Sequence, residues 1–395
     1  MKIYTPFFIL MFIFLVGCTN KEHQNTSTEG KTIHLSLENP KEVDLKDLFS
    51  SITITPLEIS DNSVIGRLFK GKNTIVVPNK YYIVFDKYYT IYLFDMQGKF
   101  ISNSKQCIGD GPKTYQILQD VAYNPYTNTI DVLDAKNVIY QYDINFKYVT
   151  KYKITHKSSQ IFRYLYAIDK ESYALFDRTE KDFFTIYNVK DKSSHKVTYP
   201  GFITFMSSNF CPFHQENSQL YFSPLGMNNN LFNFSKSNLQ LSILYTIDNG
   251  KNCLSQNDIQ PYGDNAKDVS LYLNTKCTKY VPLKRLFNDK YLISTYMKEQ
   301  NQFINICYLE SGKNMTFQKS PALKENLPTF FQIEDDILYA ILFPSELSGF
   351  INPDLIENKD ILQQINEEDN PVLIQYKIKH LGALSLKQGK FLRYE

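Results

Sequence analysis

From about residue 50 onward, apolar positions fall at every second place in short runs that end in Asp, Asn or Gly, the pattern of half-buried strands joined by tight turns. YYIVFDKYYTIYLFDMQGKFI (81–101) lies over NTIDVLDAKNVIYQYDINFKYV (128–149) so that Asp86 falls on Asp134, Asp95 on Asp143 and Lys99 on Lys147, each pair 48 residues apart. Each copy carries two alternating runs: Ile83 with Phe85 and Tyr92 with Phe94, then Ile130 with Val132 and Tyr140 with Tyr142. These runs predict a repeated pair of strands, the first ending at an Asp that can bond the backbone of its own turn. Gly98 suits the positive φ of a tight turn. Phe146 stands in its place in the second copy, so a differently built turn is expected there.

Weaker copies follow around 172–189, 219–235 and 291–313, and a last one begins at DILYAILF (336–343) and resumes at VLIQYKIK (372–379). Asp86, Asp134, Asp177, Ser223, Thr295 and Ala340 mark the same place in six units, at spacings of 48, 43, 46, 72 and 45. The long gap carries an insertion, expected at KNCLSQNDIQPYGDNAKD (251–268). Units of this length, each with room for four strands, predict an all-β chain: a six-bladed β-propeller of four-stranded antiparallel blades over residues 32–395. One stretch, INPDLIENKDILQQINEEDNP (351–371), has helical character: Asn352 can cap, Pro353 suits a first turn, and Leu355, Ile361, Leu362 and Ile365 form an apolar stripe. It predicts a short helical insertion near the C-terminus, within the final blade.

IGDGPKTY (108–115) places Gly109 and Gly111 ahead of a proline, which raises the question of a phosphate cradle. A phosphate loop needs a strand before it and a helix after it, and Pro112 separates Gly111 from Lys113-Thr114, so the expected role is a turn between sheets. The segment resembles the G-x-G-P-x-x-Y turn of the six-bladed β-propeller lipoproteins of Bacteroidetes. ITITPLE (52–58) resembles that family's opening strand, FDMQGKFI its hairpin end and EEDNPVLIQYKIK (367–379) its closing strand, a likeness over about residues 41–380. The resemblance implies a closed propeller and says little about activity.

The N-terminus gives an address. MKIYTPFFILMFIFLVGC (1–18) has one early lysine, an apolar run too short for a comfortable membrane span, and a closing cysteine, as in a secretion signal. LVGC (15–18) resembles a bacterial lipobox, which implies that Cys18 is the lipid-attachment residue and the anchor to a membrane. Residues 19–31 contain no apolar side chain and are expected to act as a flexible tether. The expected location is the cell envelope, lipid-anchored at the outer membrane, with its side left open.

Composition narrows the chemistry. With 29 Tyr, 29 Phe and no Trp the chain favours pleated surfaces, and 43 basic against 41 acidic residues provide no field for nucleic acid. Cys107, Cys211, Cys253, Cys277 and Cys307 form no metal-binding spacing and are expected to be mostly buried thiols. His23, His34, His156, His195, His214 and His380 show no short-spaced pairing, and no nucleophile elbow is present, so no catalytic residue, metal site or cofactor is expected. Acidic runs at Glu334, Asp335 and Asp336 and at Glu367, Glu368 and Asp369 are expected to be solvated turns, with a calcium site or an acid/base pair as the less favoured alternative. The favoured function is a noncatalytic envelope lipoprotein whose propeller face or channel binds a glycan, a peptide or an envelope protein. The alternative is a carbohydrate-active hydrolase or lyase with its site at the channel mouth; a third is a purely structural role in an envelope complex.

Overall fold

The computed structural model describes residues 30–68, 72–155, 161–177, 182–200, 211–216, 219–224, 227–263, 265–319 and 325–379. Strand β1 (Lys31–His34), the helical turn α1 (Leu45–Leu48) and strand β2 (Phe49–Pro56) precede the first blade. Blade 1 comprises β3 (Thr74–Val77), β4 (Tyr81–Phe85), β5 (Ile91–Asp95) and β6 (Phe100–Asn103). Blade 2 comprises β7 (Leu118–Asn124), β8 (Thr129–Asp134), β9 (Val138–Tyr142) and β10 (Tyr148–Lys153). Blade 3 is β11 (Tyr164–Ala167), β12 (Ser172–Phe176), β13 (Phe183–Asn188) and β14 (Ser194–Thr198). Blade 4 is β15 (Phe213–Glu216), β16 (Gln219–Phe222), β17 (Asn230–Ser235) and β18 (Gln240–Asp248). After the helices α2 (Gln256–Ile259) and α3 (Ala266–Thr275), blade 5 is β19 (Val281–Phe287), β20 (Tyr291–Lys298), β21 (Asn301–Tyr308) and β22 (Asn314–Lys319). Blade 6 is β23 (Gln332–Glu334), β24 (Ile337–Leu342) and β25 (Val372–Ile378), completed by β2.

The predicted six-bladed propeller is therefore the fold, each blade an antiparallel meander. The ring closes because β2 pairs along the whole of β25, from Phe49 against Ile378 to Pro56 against Val372. These are the two segments expected to open and close the chain. The stretch before β2 straps the outside: β1 lies parallel on β18 as a fifth strand of blade 4, and Lys41 bridges to Phe317 on blade 5.

Twisted sheets arranged radially leave wedges between their faces, and the aromatic residues fill them. One apolar cluster sits at each of the six junctions. Between blades 3 and 4, Phe184 packs on Phe213, Phe222 and Phe234 with ring centroids 5.0, 4.8 and 5.9 Å apart. At the closing junction Tyr82, Val84 and Phe94 of blade 1 meet Tyr339 and Leu373 of blade 6. Burying a side chain of this kind contributes about 1.5–3 kcal/mol, so the junctions dominate the stability.

The insertion falls in the long gap but runs past the expected 251–268, carrying α2 and then α3 as far as Thr275; its core of Leu254, Ile259 and Val269 also takes in Met227 of blade 4 and Val281 of blade 5. The C-terminal excursion differs in form from the single helix expected. It consists of three 3-10 segments, Pro344–Gly349, Pro353–Leu355 and Lys359–Gln364. Asn352 caps by accepting from Asp354 N, and Leu355, Ile361, Leu362 and Ile365 pack on the core between blades 5 and 6, as the stripe implied. Bonds to the sheet replace a continuous helical ladder: Glu357 N donates to Ile52 O, and the Asn358 side chain bonds Ile54 at both its N–H and its carbonyl.

The IGDGPKTY segment is a turn between blades 1 and 2. Gly109 (φ +146°) donates to Tyr115 O, Tyr115 N donates to Cys107 O, and the buried Tyr115 hydroxyl donates to Tyr89 O at 2.6 Å. Strand β7 follows it, not a helix.

Candidate functional site in the central channel

The first strand of every blade faces the propeller axis, and together they wall a cavity of 390 Å³. Its lining is mostly apolar, including Val76, Val121, Phe213, Leu286, Phe331 and Ile333. Among these stand Lys72 from the approach to β3, Tyr166 from β11, His214 and Gln215 from β15, Arg285 from β19, and Gln332 and Glu334 from β23.

Each polar group has a distinct setting. Lys72 Nζ lies 2.6 Å from Asp120 Oδ1 and donates to Val121 O at 2.9 Å, while Asp120 Oδ2 accepts from Leu165 N at 2.8 Å. One buried carboxylate thus ties blades 1, 2 and 3. Burial pushes the Asp120 carboxyl up, and Lys72 opposes that shift. Gln332 bonds both the N–H and the carbonyl of Val76 and donates to Glu334 Oε1 at 2.7 Å, joining blade 6 to blade 1. Burial, reinforced by Glu216 and Asp335, raises the Glu334 carboxyl to about 7. Burial lowers His214 to about 4, so its ring is neutral near pH 7; Nε2 is sealed from solvent with no hydrogen-bond partner among the described residues. Arg285 donates from Nη1 to Asn228 O and from Nη2 to Asn229 Oδ1 at 3.4 Å, both on blade 4. Its Nε is also covered and has no acceptor among the described residues. The neighbouring Lys284 donates to Phe330 O, and burial lowers it well below the usual lysine range.

At the end of the channel where each first strand turns into the second, Tyr126 of blade 2 spans toward blade 4. Its hydroxyl accepts from Lys236 Nζ at 2.7 Å and lies 3.4 Å from Gln215 Oε1. Glu216 accepts from Asp289 N at 2.9 Å on the adjacent blade.

The residues singled out from sequence divide sharply here. Of the run at 334–336, Glu334 ends an inner strand and lines the channel, correcting its expected place in a solvated turn; Asp335 takes the turn, at φ +50°. The 367–369 run is a surface turn in which Asp369 accepts from Asn366 N. His34 and His195 are exposed, and His34 lies 2.9 Å from Asp248; His23, His156 and His380 fall outside the described residues, as does Cys18. Cys107, Cys253, Cys277 and Cys307 are buried free thiols, and the free Cys211 lines the channel. No group of three His, Cys, Asp or Glu among the described residues is placed to hold a metal ion. Lys72, His214 and Arg285 were not distinguished by any motif; the only signal was their place on, or just before, the leading strand of a unit.

Residues 30–377 match the family described as Domain of unknown function (DUF4934). The chain belongs to that family. A member of DUF4934 therefore presents its six inner strands to one shared cavity. The fold is similar to that of an exported protein from Bacteroides fragilis, at 14% identity and a TM-score of 0.65, over 89% of this chain and 100% of that one. It is more distantly similar to the WD40 repeats of RRP9, at 9% identity and a TM-score of 0.41, over 84% of this chain and 98% of that one. No curated protein matches. No described helix is long and apolar enough to cross a membrane.

Proposed function

We propose that this protein is a lipid-anchored propeller of the bacterial cell envelope that acts as a binding module, with its ligand, a glycan or peptide, held in the central channel. The observation that carries this is the convergence of Lys72, Tyr166, His214, Arg285 and Glu334 from five blades onto one cavity of 390 Å³, the size and apolar character of a small-ligand site. A channel plugged by aromatic rings would instead have favoured a scaffold. The likeness to an exported protein supports an address outside the cytoplasm. The LVGC sequence supports anchoring through Cys18 at the outer membrane.

A carbohydrate-active hydrolase or lyase is the second reading, favoured by one observation: Glu334, raised to about 7, has the proton affinity of a general acid. A glycan and peptide array probed with the full chain separates these. Retention of an array member without turnover supports the module, turnover abolished by Glu334→Gln supports the enzyme, and failure to retain or turn over any member removes both. For the anchor, Cys18→Ser is expected to leave the membrane fraction for the soluble one; continued membrane fractionation removes the lipid-anchor proposal.

A further inference from the structure

Arg285 is the one cavity-lining cation for which the described residues supply no carboxylate. Lys72 is matched by Asp120 at 2.6 Å, whereas Arg285 makes no ion pair and its bonds go to a carbonyl and an amide oxygen of neutral residues. Its Nε, shut off from solvent, has no acceptor among the described residues. A guanidinium keeps its charge at any ordinary pH, and holding it partly out of water without a counter-charge is costly. Its planar fork matches a carboxylate in a bidentate pair.

The rest of the wall says what the carboxylate must be attached to. Phe213, Leu286, Phe331 and Ile333 surround the space with apolar surface. A cavity of 390 Å³ equals the liquid volume of roughly a dozen waters, so the body is of comparable heavy-atom count. Glu334 also borders the cavity, and its carboxylate form disfavours a doubly charged head such as a phosphate monoester.

We propose that the channel binds a small monocarboxylic acid with an aromatic or branched aliphatic body, its carboxylate paired with Arg285 and its body against the apolar wall. This rests on the channel being a binding site and narrows the class of ligand. Such a head is carried both by free acids and by the C-terminus of a peptide ending in an apolar residue.

The test is calorimetric titration of the full chain with 3-phenylpropionate, with 3-phenylpropanamide as its neutral counterpart, and with N-acetylphenylalanine to represent a peptide end. The expected result is binding of 3-phenylpropionate at least tenfold tighter than its amide, with the preference lost in Arg285→Met and partly kept in Arg285→Lys. N-acetylphenylalanine binding more tightly than the free acid assigns the head to a peptide terminus; the reverse order assigns it to a small acid. The acid-to-amide ratio of the unaltered chain needs no variant, so it decides the matter even if Arg285→Met fails to fold. Equal binding of acid and amide overturns the anion assignment while leaving the channel a binding site. Failure of both probes alongside retention of a neutral glycan has the same meaning. Failure of all of them overturns both.

Discussion

Asp86 and Asp134 each use two carboxylate oxygens to hold two backbone segments. Oδ1 accepts from the turn just after the strand, Tyr88 N at 2.9 Å or Lys136 N at 2.8 Å. Oδ2 accepts from the loop entering the blade, Gly66 N at 3.2 Å or Gln116 N at 2.8 Å. The sequence showed the first of these roles, because an Asp bonding its own turn is local; the second partner arrives from about 20 residues away. Phe146 shows a similar limit. A different turn was expected where it replaces Gly98, yet both residues are left-handed, at φ +55° and +80°, and Asp143 bonds Asn145 N and Lys147 N as Asp95 bonds Gln97 N and Lys99 N. Gly98 is required because a Cβ there would collide with the Pro56 carbonyl of β2. At Phe146 the buried ring packs 6.3 Å from Tyr142, which offsets the backbone strain. Two channel residues give opposite dependences on pH. Glu334 has its proton affinity raised from 4.5 to about 7, so the folded chain keeps a proton that the unfolded chain has released, and stability falls as pH rises through that window. His214 is lowered from 6.5 to about 4, so the unfolded chain takes up a proton first and stability falls as pH drops through that window. Relative to the unaltered protein, Glu334→Gln is expected to gain stability steadily from pH 4.5 to 7, and His214→Phe from pH 6.5 down to 4. Urea midpoints measured across pH check both, and a difference from the unaltered protein that is flat with pH would remove the assignment for that residue.

At the scale of elements, the N-terminal segment divides into parts of unequal importance. β2 is a blade strand: Ile52 and Ile54 are buried in the core between blades 5 and 6, and its loss would expose the edge of β25. β1 and α1 are a strap outside the ring, burying Ile33, Leu35, Leu37, Leu45 and Leu48. A chain beginning at Phe49 is expected to fold to a propeller weaker by on the order of 5 kcal/mol, since part of that apolar burial is offset by the ordering entropy it no longer incurs. A chain beginning at Leu57 is expected to lose cooperative unfolding and to aggregate. Thermal melts with light scattering distinguish the two; equal behaviour would mean that β2 does not close the ring. The C-terminal excursion was legible as an apolar stripe with a cap at Asn352, but its 3-10 form was not. Intrinsic periodicity favoured a helix, and bonds to Ile52 and Ile54 of a strand some 300 residues earlier decided against it.

Across the whole molecule, stability resides in the junctions, and the Lys72–Asp120 pair is the polar counterpart of the apolar wedges because it reaches blades 1, 2 and 3 at once. Lys72→Met leaves a buried carboxylate without its cation and is expected to cost about 3–5 kcal/mol. Lys72→Met with Asp120→Asn should recover part of that loss, which a double-mutant cycle in denaturant measures; strict additivity would mean that the pair does not couple the blades.

The sequence by itself determined the architecture: six repeated units, the Asp-capped turns and the place of the inserted segment. Those features rest on alternation and turn chemistry, which act over a few residues and are written where they act. Only the tertiary structure decided the channel. Lys72, His214, Arg285 and Glu334 lie 262 residues apart from first to last and share no local pattern. They become neighbours because closing a ring of twisted sheets brings the leading strand of every blade to one axis, and their charges, burial and missing partners exist only there.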